Sequence, residues 1–218
     1  MARARPLRKD LLLCDLGNVL IRFDHRIAVR RILPFTPRTF RQVYLTFFDS
    51  PATRAYEEGR LNSRRFFARL KKDLALKGLT YGRFVPIWSD IFRPNPGMLP
   101  LLKALRRRCR LCLISNINAL HYAHILRRFP EHLGVFDRVV LSCEVGAQKP
   151  HPRIYRAALA DEDPRSGSPG PGPRGGRLLY VDDRADLVRA ARRLHIPSLR
   201  FRGVAQLKKE LRRRRLLP

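Results

Sequence analysis

The 218-residue sequence predicts an α/β fold, a doubly wound parallel sheet with a small helical domain inserted after its first strand. Three observations point there. Short apolar runs without polar alternation recur along the chain, and each stops at polar residues. Stretches of helical periodicity separate most of them. One interval between consecutive runs is far too long for a single crossover helix.

Residues 11–14 form the first run and lead into Asp15. Residues 111–114 lead into Ser115 and Asn116. Residues 139–141 precede Ser142, with Lys149 and Pro150 a few positions on, and 178–181 end at Asp182 and Asp183. Residues 198–201 give a shorter fifth run. Such runs read as strands buried on both faces, which is the condition of a parallel sheet. Between them Met98, Leu101, Leu102 and Leu105 share one helical face, and Tyr122, Ile125, Leu126 and Phe129 another. Ile154, Tyr155, Ala158 and Leu159 form a third, and Leu187, Val188, Ala191 and Leu194 a fourth. Residues 204–215 read as a basic amphipathic helix with Val204, Leu207 and Leu211 inward.

From Asp15 to the next strand is roughly 95 residues. No buried strand is predicted there. Helical segments are predicted over 37–49, 63–76 and 81–92, punctuated by Pro34, Pro37, Pro51, Gly78, Pro94 and Pro96. The expected organisation is therefore a core built from residues 1–22 and 94–218, with a helical domain at 23–93. A flexible Pro/Gly/Ser-rich loop is expected at 161–177 within the core.

Composition narrows the function classes. With 44% apolar residues the chain can bury a core, so it is not a disordered protein. No apolar run approaches the roughly 20 residues that span a bilayer. The basic start and the apolar stretch after it are broken by Asp15, Gly17 and Asn18 and lack a small-residue cleavage site. A soluble, cytoplasmic chain without membrane association is expected. The net charge is +28, but 38 of the 46 basic residues are Arg and they are spread along the whole chain. That dispersion suits solvated Arg faces, so nucleic acid is not expected as a partner despite the charge; the field would still concentrate anionic substrates. Cys14, Cys109, Cys112 and Cys143 are too few and scattered for a disulfide framework. The Cys109/Cys112 pair lacks a second ligand pair for zinc, so core thiols are expected.

Chemistry is expected at the carboxyl ends of the strands, where open parallel sheets bind ligands. Asp15, Ser115, Asn116, Lys149, Asp182 and Asp183 all fall at that edge. The carboxylates suit Mg²⁺, which takes oxygen ligands; the lysine and hydroxyl suit phosphate oxygens. Plainer roles are open to the same residues, since Ser115 and Asn116, or Asp182 and Asp183, could simply cap helices.

These motifs, in this order, resemble the haloacid dehalogenase (HAD) superfamily. Leu12-Leu13-Cys14-Asp15-Leu16-Gly17-Asn18-Val19-Leu20 is similar to its first motif and Leu113-Ile114-Ser115-Asn116 to its second. Gln148-Lys149-Pro150-His151-Pro152 is similar to the third, and Leu179-Tyr180-Val181-Asp182-Asp183 to the fourth. The resemblance covers essentially the whole chain. It implies a Rossmann-like core with a C1-type helical cap, and a phosphatase acting on a small phosphorylated metabolite. The DLGNV opening resembles that of a bacterial branch which contains sugar-phosphate phosphatases, an α-glucose-1-phosphate phosphatase among them. It further implies Asp15 as nucleophile, Mg²⁺ held by Asp15, the Gly17 carbonyl and Asp183 with Asp182 behind them, and a phosphoryl group bound by Ser115, the Asn116 amide and Lys149. A monomer or homodimer is expected.

Two positions depart from the pattern. Gly17 stands where most phosphatases of the superfamily carry a second Asp, the general acid, and Asp24 is considered as its substitute. Leu187 stands where a residue supporting the lysine is usual. The readings left open are a 2-haloacid dehalogenase, which needs no metal, and a catalytically weak relative with a basic anion- or nucleic-acid-binding surface.

Overall fold

Successive side chains of β1 (Asp10–Cys14) enter two different apolar clusters: Leu12 and Cys14 face one, Leu11 and Leu13 the other. In the computed structural model, which describes residues 10–160 and 176–217, the chain then forms β2 (Ile21–Phe23) and helices α1 (His25–Ile32) and α2 (Phe40–Phe48). Helices α3 (Pro51–Glu57), α4 (Ser63–Asp73) and α5 (Tyr81–Ser89) follow, and then β3 (Phe92–Pro94), α6 (Met98–Leu105) and β4 (Cys109–Ser115). Next come α7 (Ala119–Arg128), α8 (Pro130–Leu133), β5 (Arg138–Leu141), α9 (Ser142–Val145) and α10 (Pro152–Leu159). The last elements are β6 (Leu178–Asp182), α11 (Ala185–Arg193), β7 (Ser198–Arg200) and α12 (Val204–Arg213). All but the last two residues of the loop expected at 161–177 lie outside the described residues.

Five strands form one sheet in the order β5-β4-β1-β6-β7, every neighbouring pair parallel. Leu111 and Leu113 of β4, and Leu179 and Val181 of β6, join Leu12 on one face. Cys112, Ile114 and Tyr180 join Leu11 and Leu13 on the other. Helices α6 and α12 cover the first face, α10 and α11 the second. Burial on both sides is why these strands carry no alternating polar residue. The chain moves outward from β1 through β4 to β5, then returns to place β6 and β7 on the opposite side. The switch in strand order therefore falls between β1 and β6, where such sheets open a ligand crevice.

The interval between β1 and β4 is mainly helical, with departures from expectation. Strands β2 and β3 pair antiparallel, with Phe23 opposite Phe92, where no strand was predicted. Each is three residues long, too short to show a period. Helices α1 and α3 were also not predicted. In α1 only Ala28, Val29 and Ile32 are buried among basic residues, so its apolar stripe is narrow. Helices α2, α4 and α5 begin at Thr39, Asn62 and Thr80, each accepting a backbone N–H through its side chain. These helices pack around a cluster of their own, with Phe47, Tyr56, Phe66, Phe84 and Trp88 fully enclosed.

One residue on each of two expected helix faces is corrected. Leu126 is 47% exposed and Leu194 37% exposed. Helix α7 buries Ile125 as expected and packs Tyr122 and Phe129 against the core, but His121 takes the inward place expected of Leu126. Leu194 lies at the C-cap of α11, beyond its buried stripe. Cys14, Cys109 and Cys112 are buried thiols, as expected, whereas Cys143 is only partly buried. Among the described residues no helix is long and apolar enough to cross a membrane.

Buried His121 is hydrogen-bonded as a neutral ring. Nε2 lies 3.0 Å from the Trp88 carbonyl oxygen and Nδ1 3.0 Å from Asn118 Nδ2, so the proton belongs on Nε2. Burial lowers its pKa to about 3 from 6.5. The unfolded chain therefore binds a proton below about pH 6.5 that the folded chain refuses, and stability falls as pH drops from there towards 3. We expect urea denaturation to show about 2 kcal/mol less stability at about pH 5 than at about pH 7 from this residue. Substitution His121→Gln should flatten that part of the pH dependence.

Candidate active site

Three strand ends converge on one ammonium group. The Asp15 backbone N–H donates to the Val181 carbonyl at 2.9 Å, which ties the residue after β1 to β6. Lys149 Nζ donates to Asp15 Oδ1 at 2.6 Å, to Asp182 Oδ2 at 2.8 Å and to the Ile114 carbonyl of β4 at 3.1 Å. Lys149, Asp15 and Asp182 are all buried. The lysine backbone is clamped by Asn116, whose side chain accepts the Lys149 N–H at 2.7 Å and donates to the Lys149 carbonyl at 3.0 Å. Asn116 is therefore no helix cap; Asn118 performs that task for α7. Asp182 also accepts the Tyr180 hydroxyl and, through Oδ1, the Arg184 N–H at 2.8 Å. Support for the lysine thus comes from Asp182, while Leu187 is buried in the core. Asp183 is half-buried and accepts from Asn18 Nδ2 at 3.3 Å, and Ser115 is buried at the end of β4.

Oxygens of Asp15, Asp182 and Asp183 lie within 4.8 Å of one another. Burial, with the neighbouring carboxylates adding to it against Lys149, raises the pKa of Asp15 to about 7. Burial and Asp182 likewise raise that of Asp183. Burial works against the Lys149 ammonium, but Asp15 and Asp182 more than reverse it, so its proton is held more tightly than usual. Three carboxylates and one ammonium leave an excess of negative charge in a half-dry site. A donor set of carboxylate oxygens with uncompensated charge fits a hard divalent cation.

A cavity of about 990 Å³ opens over this cluster. Gly17 lies at its floor, and a Cβ there would sit 2.8 Å from Phe23 Cε1. The place of a second acid is filled by an aromatic ring, itself stacked on His25 with centroids 4.6 Å apart. We expect Gly17→Asp to lower activity rather than raise it, because the new side chain must displace that ring. Gly17→Asp combined with Phe23→Ala should recover part of the loss, measured as turnover by the purified protein. Asp24 does not substitute for the missing acid. It caps α1 by accepting the Arg26 N–H, and the hydrogen bond from the Arg26 guanidinium lowers its pKa. Of the aromatic residues Phe23, Tyr56, Phe66, Phe67 and Trp88, Phe23 alone lines this cavity; the rest pack in the helical cluster.

The family model for haloacid dehalogenase-like hydrolases matches residues 9–195. The chain belongs to that family. The hydrolase is 26% identical over 194 residues to the pyrimidine 5'-nucleotidase YjjG of Escherichia coli, covering 83% of this chain and 80% of that protein. In fold it is similar to a HAD family enzyme of Bacteroides thetaiotaomicron solved in complex with magnesium and inorganic phosphate. The TM-score is 0.74 at 22% identity, over 89% of this chain and 94% of that one. A predicted HAD-like hydrolase of Porphyromonas gingivalis gives a TM-score of 0.74 at 23% identity, over 94% and 98% of the two chains.

In this hydrolase the expected positions Asp15, Gly17, Ser115, Asn116, Lys149 and Asp183 all line the one cavity, and Asp182 lies directly beneath it, bonded to Lys149. Sequence reasoning missed Tyr180, Asn18 and Glu57. Tyr180 reads as an ordinary strand residue, and only its pairing beside β1 brings its hydroxyl to Asp182. Asn18 is in the first motif but carries no chemical signal alone. Glu57 is half-buried against Gln148 and lines the cavity from α3, far in sequence from both the first and the second motif, so no local pattern marks it.

Proposed function

We propose that this hydrolase is a Mg²⁺-dependent phosphatase. It cleaves a small phosphorylated metabolite, of which a sugar phosphate is the first class, through an aspartyl-phosphate on Asp15. One observation carries the reading: Lys149 bridges Asp15 and Asp182 at hydrogen-bond distance beside Asp183. Helices of residues 23–93 serve as a cap over the core of residues 1–22 and 94–218, so that the leaving group lies between them.

The chemistry follows from the residues present. The Asp15 carboxylate attacks phosphorus in line, which divides one difficult displacement into two easier ones. Lys149, the Ser115 hydroxyl and the Asn116 N–H hold phosphoryl oxygens as charge moves onto them. Asp182 keeps the ammonium aimed at Asp15. The Asp15 and Asp183 carboxylates and the Gly17 carbonyl would hold Mg²⁺, with Asp182 behind them. When bound, the ion supplies the positive charge that lets an anionic nucleophile meet an anionic phosphate.

A sugar 1-phosphate suits Gly17, since an anomeric oxygen leaves with less help from an acid. The cavity of about 990 Å³ also has room for a larger leaving group. Together with the likeness to a pyrimidine 5'-nucleotidase, this makes a nucleoside monophosphate the second class to test. The experiment is a panel of sugar phosphates and nucleoside monophosphates with and without EDTA. Phosphate release should stop on chelation and return with excess Mg²⁺. Turnover of 2-haloacids that survives EDTA would replace this reading by the dehalogenase one, and no turnover of any ester would remove it.

A further inference from the structure

The phosphatase reading leaves a gap: nothing at Gly17 can protonate a leaving group. The other proton-bearing side chains on the cavity are mostly committed. His121 is bonded on both nitrogens. His25 is stacked face to face on Phe48, ring centroids 3.6 Å apart, and burial lowers its pKa to about 4, so it holds no proton to give near neutrality. Glu58 is paired with Arg60 at 2.6 Å. His151 caps α10, accepting the Arg153 N–H at 3.2 Å, and Asp49 is exposed.

Glu57 differs from these. It ends α3 and lines the cavity that Asp15 and Lys149 line from the core. Gln148, the residue before Lys149, donates to Glu57 Oε2 at 2.6 Å. Among the described residues Oε1 has no hydrogen-bond partner. The backbone around it is anchored to the sheet. Ser142 Oγ donates to the Glu57 carbonyl at 2.5 Å and accepts the Ile117 N–H at 3.0 Å, joining the end of α3 to the ends of β5 and β4. Gly59, at φ 70°, completes the close fit; a side chain there would collide with the Cys143 carbonyl.

We propose that Glu57 is the general acid–base of this site, supplying from α3 the group that Gly17 lacks. As the Asp15 carboxylate bonds to phosphorus and the ester P–O bond breaks, the Glu57 carboxylic acid gives its proton to the departing alcohol oxygen. In the second step the Glu57 carboxylate takes a proton from water as the water oxygen attacks phosphorus. The acyl-phosphate P–O bond then breaks, leaving inorganic phosphate, the Asp15 carboxylate and protonated Glu57. The charged surroundings permit this cycle. Burial raises the Glu57 pKa to about 7, opposed by the Gln148 hydrogen bond and by Arg184 at the head of α11; Glu58 raises it and Arg54 lowers it, and Cys143 of α9 is near. A group of that pKa both gives and takes protons near neutrality.

The inference rests on the phosphatase reading, and the test separates the two. Wild type and Glu57→Gln, both with Mg²⁺, are compared in the first turnover on p-nitrophenyl phosphate and on an alkyl phosphate ester. p-Nitrophenolate departs without a proton, so its burst should fall less than about 5-fold, while alkyl ester cleavage should fall by about 10²-fold or more. The wild-type decline of kcat/KM above about pH 7 should vanish in Glu57→Gln and persist, at lower rate, in Glu57→Asp. Equal losses on both esters, or an unchanged pH profile, would overturn the role of Glu57 and leave the phosphatase reading standing. If wild type hydrolyses neither ester, both fall together. Should Glu57→Gln fail to fold, Glu57→Ala, which also lacks the acid, carries the same ester comparison.

Discussion

Replacing Asp15 by Asn should leave the chain folded and lower phosphate release by about 10⁴-fold or more, the scale of removing a nucleophile from a covalent mechanism. An amide occupies nearly the volume of the carboxylate but has no anionic oxygen with which to attack phosphorus. Lys149 keeps Asp182 as a partner at 2.8 Å, so the substitution does not strand the buried ammonium. Stability should hold or rise. The pKa of Asp15 is raised to about 7 in the fold from 3.8, so its folding contribution is lost as pH climbs through that interval. An uncharged residue avoids this loss, and Asp15→Asn should melt at or above wild type at about pH 8. Single-turnover phosphate release and thermal unfolding check the two halves. A variant as active as wild type would show that Asp15 is not the nucleophile.

Lys149→Met should have the opposite thermal signature. It removes the one ammonium shared by Asp15 and Asp182, and breaking such a buried pair costs about 3–5 kcal/mol. For a chain of this size that lowers the unfolding midpoint on the order of 10 °C. The loss should be larger at about pH 8 than at about pH 5. Without the lysine the carboxylates repel one another and their folded pKa values rise further, so protonation at lower pH relieves the native state more than the unfolded one. Phosphate release should fall by about 10²-fold or more, since a phosphoryl-oxygen donor is lost as well. Thermal unfolding at the two pH values separates this from loss of packing, which would be equal at both. An equal drop would show that the methionine merely fits poorly.

Legibility of this protein in its sequence followed physical scale. The five parallel strands were readable because burial on both faces forces continuous apolar runs such as residues 11–14 and 178–181. The site was readable for a related reason: Asp15, Ser115 and Asp182 stop those runs, and a parallel sheet brings all such stops to one edge. Strands β2 and β3 escaped notice because three residues carry no period. On helix α7 the expected face holds at Ile125, Tyr122 and Phe129, but Leu126 is exposed and His121, an apparently polar residue, takes a place on the buried line.

By itself, then, the sequence determined the class of fold and which polar residues stand at the carboxyl edge of the sheet, since both rest on local patterns with one physical meaning. Tertiary structure decided what depends on contacts between distant segments. It showed that Asp182 supports Lys149 where Leu187 does not, that Phe23 fills the space beside Gly17, and that Asp24 is spent on Arg26. It also carried Glu57 from α3 to Gln148. No periodicity or spacing encodes such meetings, because they arise only when whole elements pack.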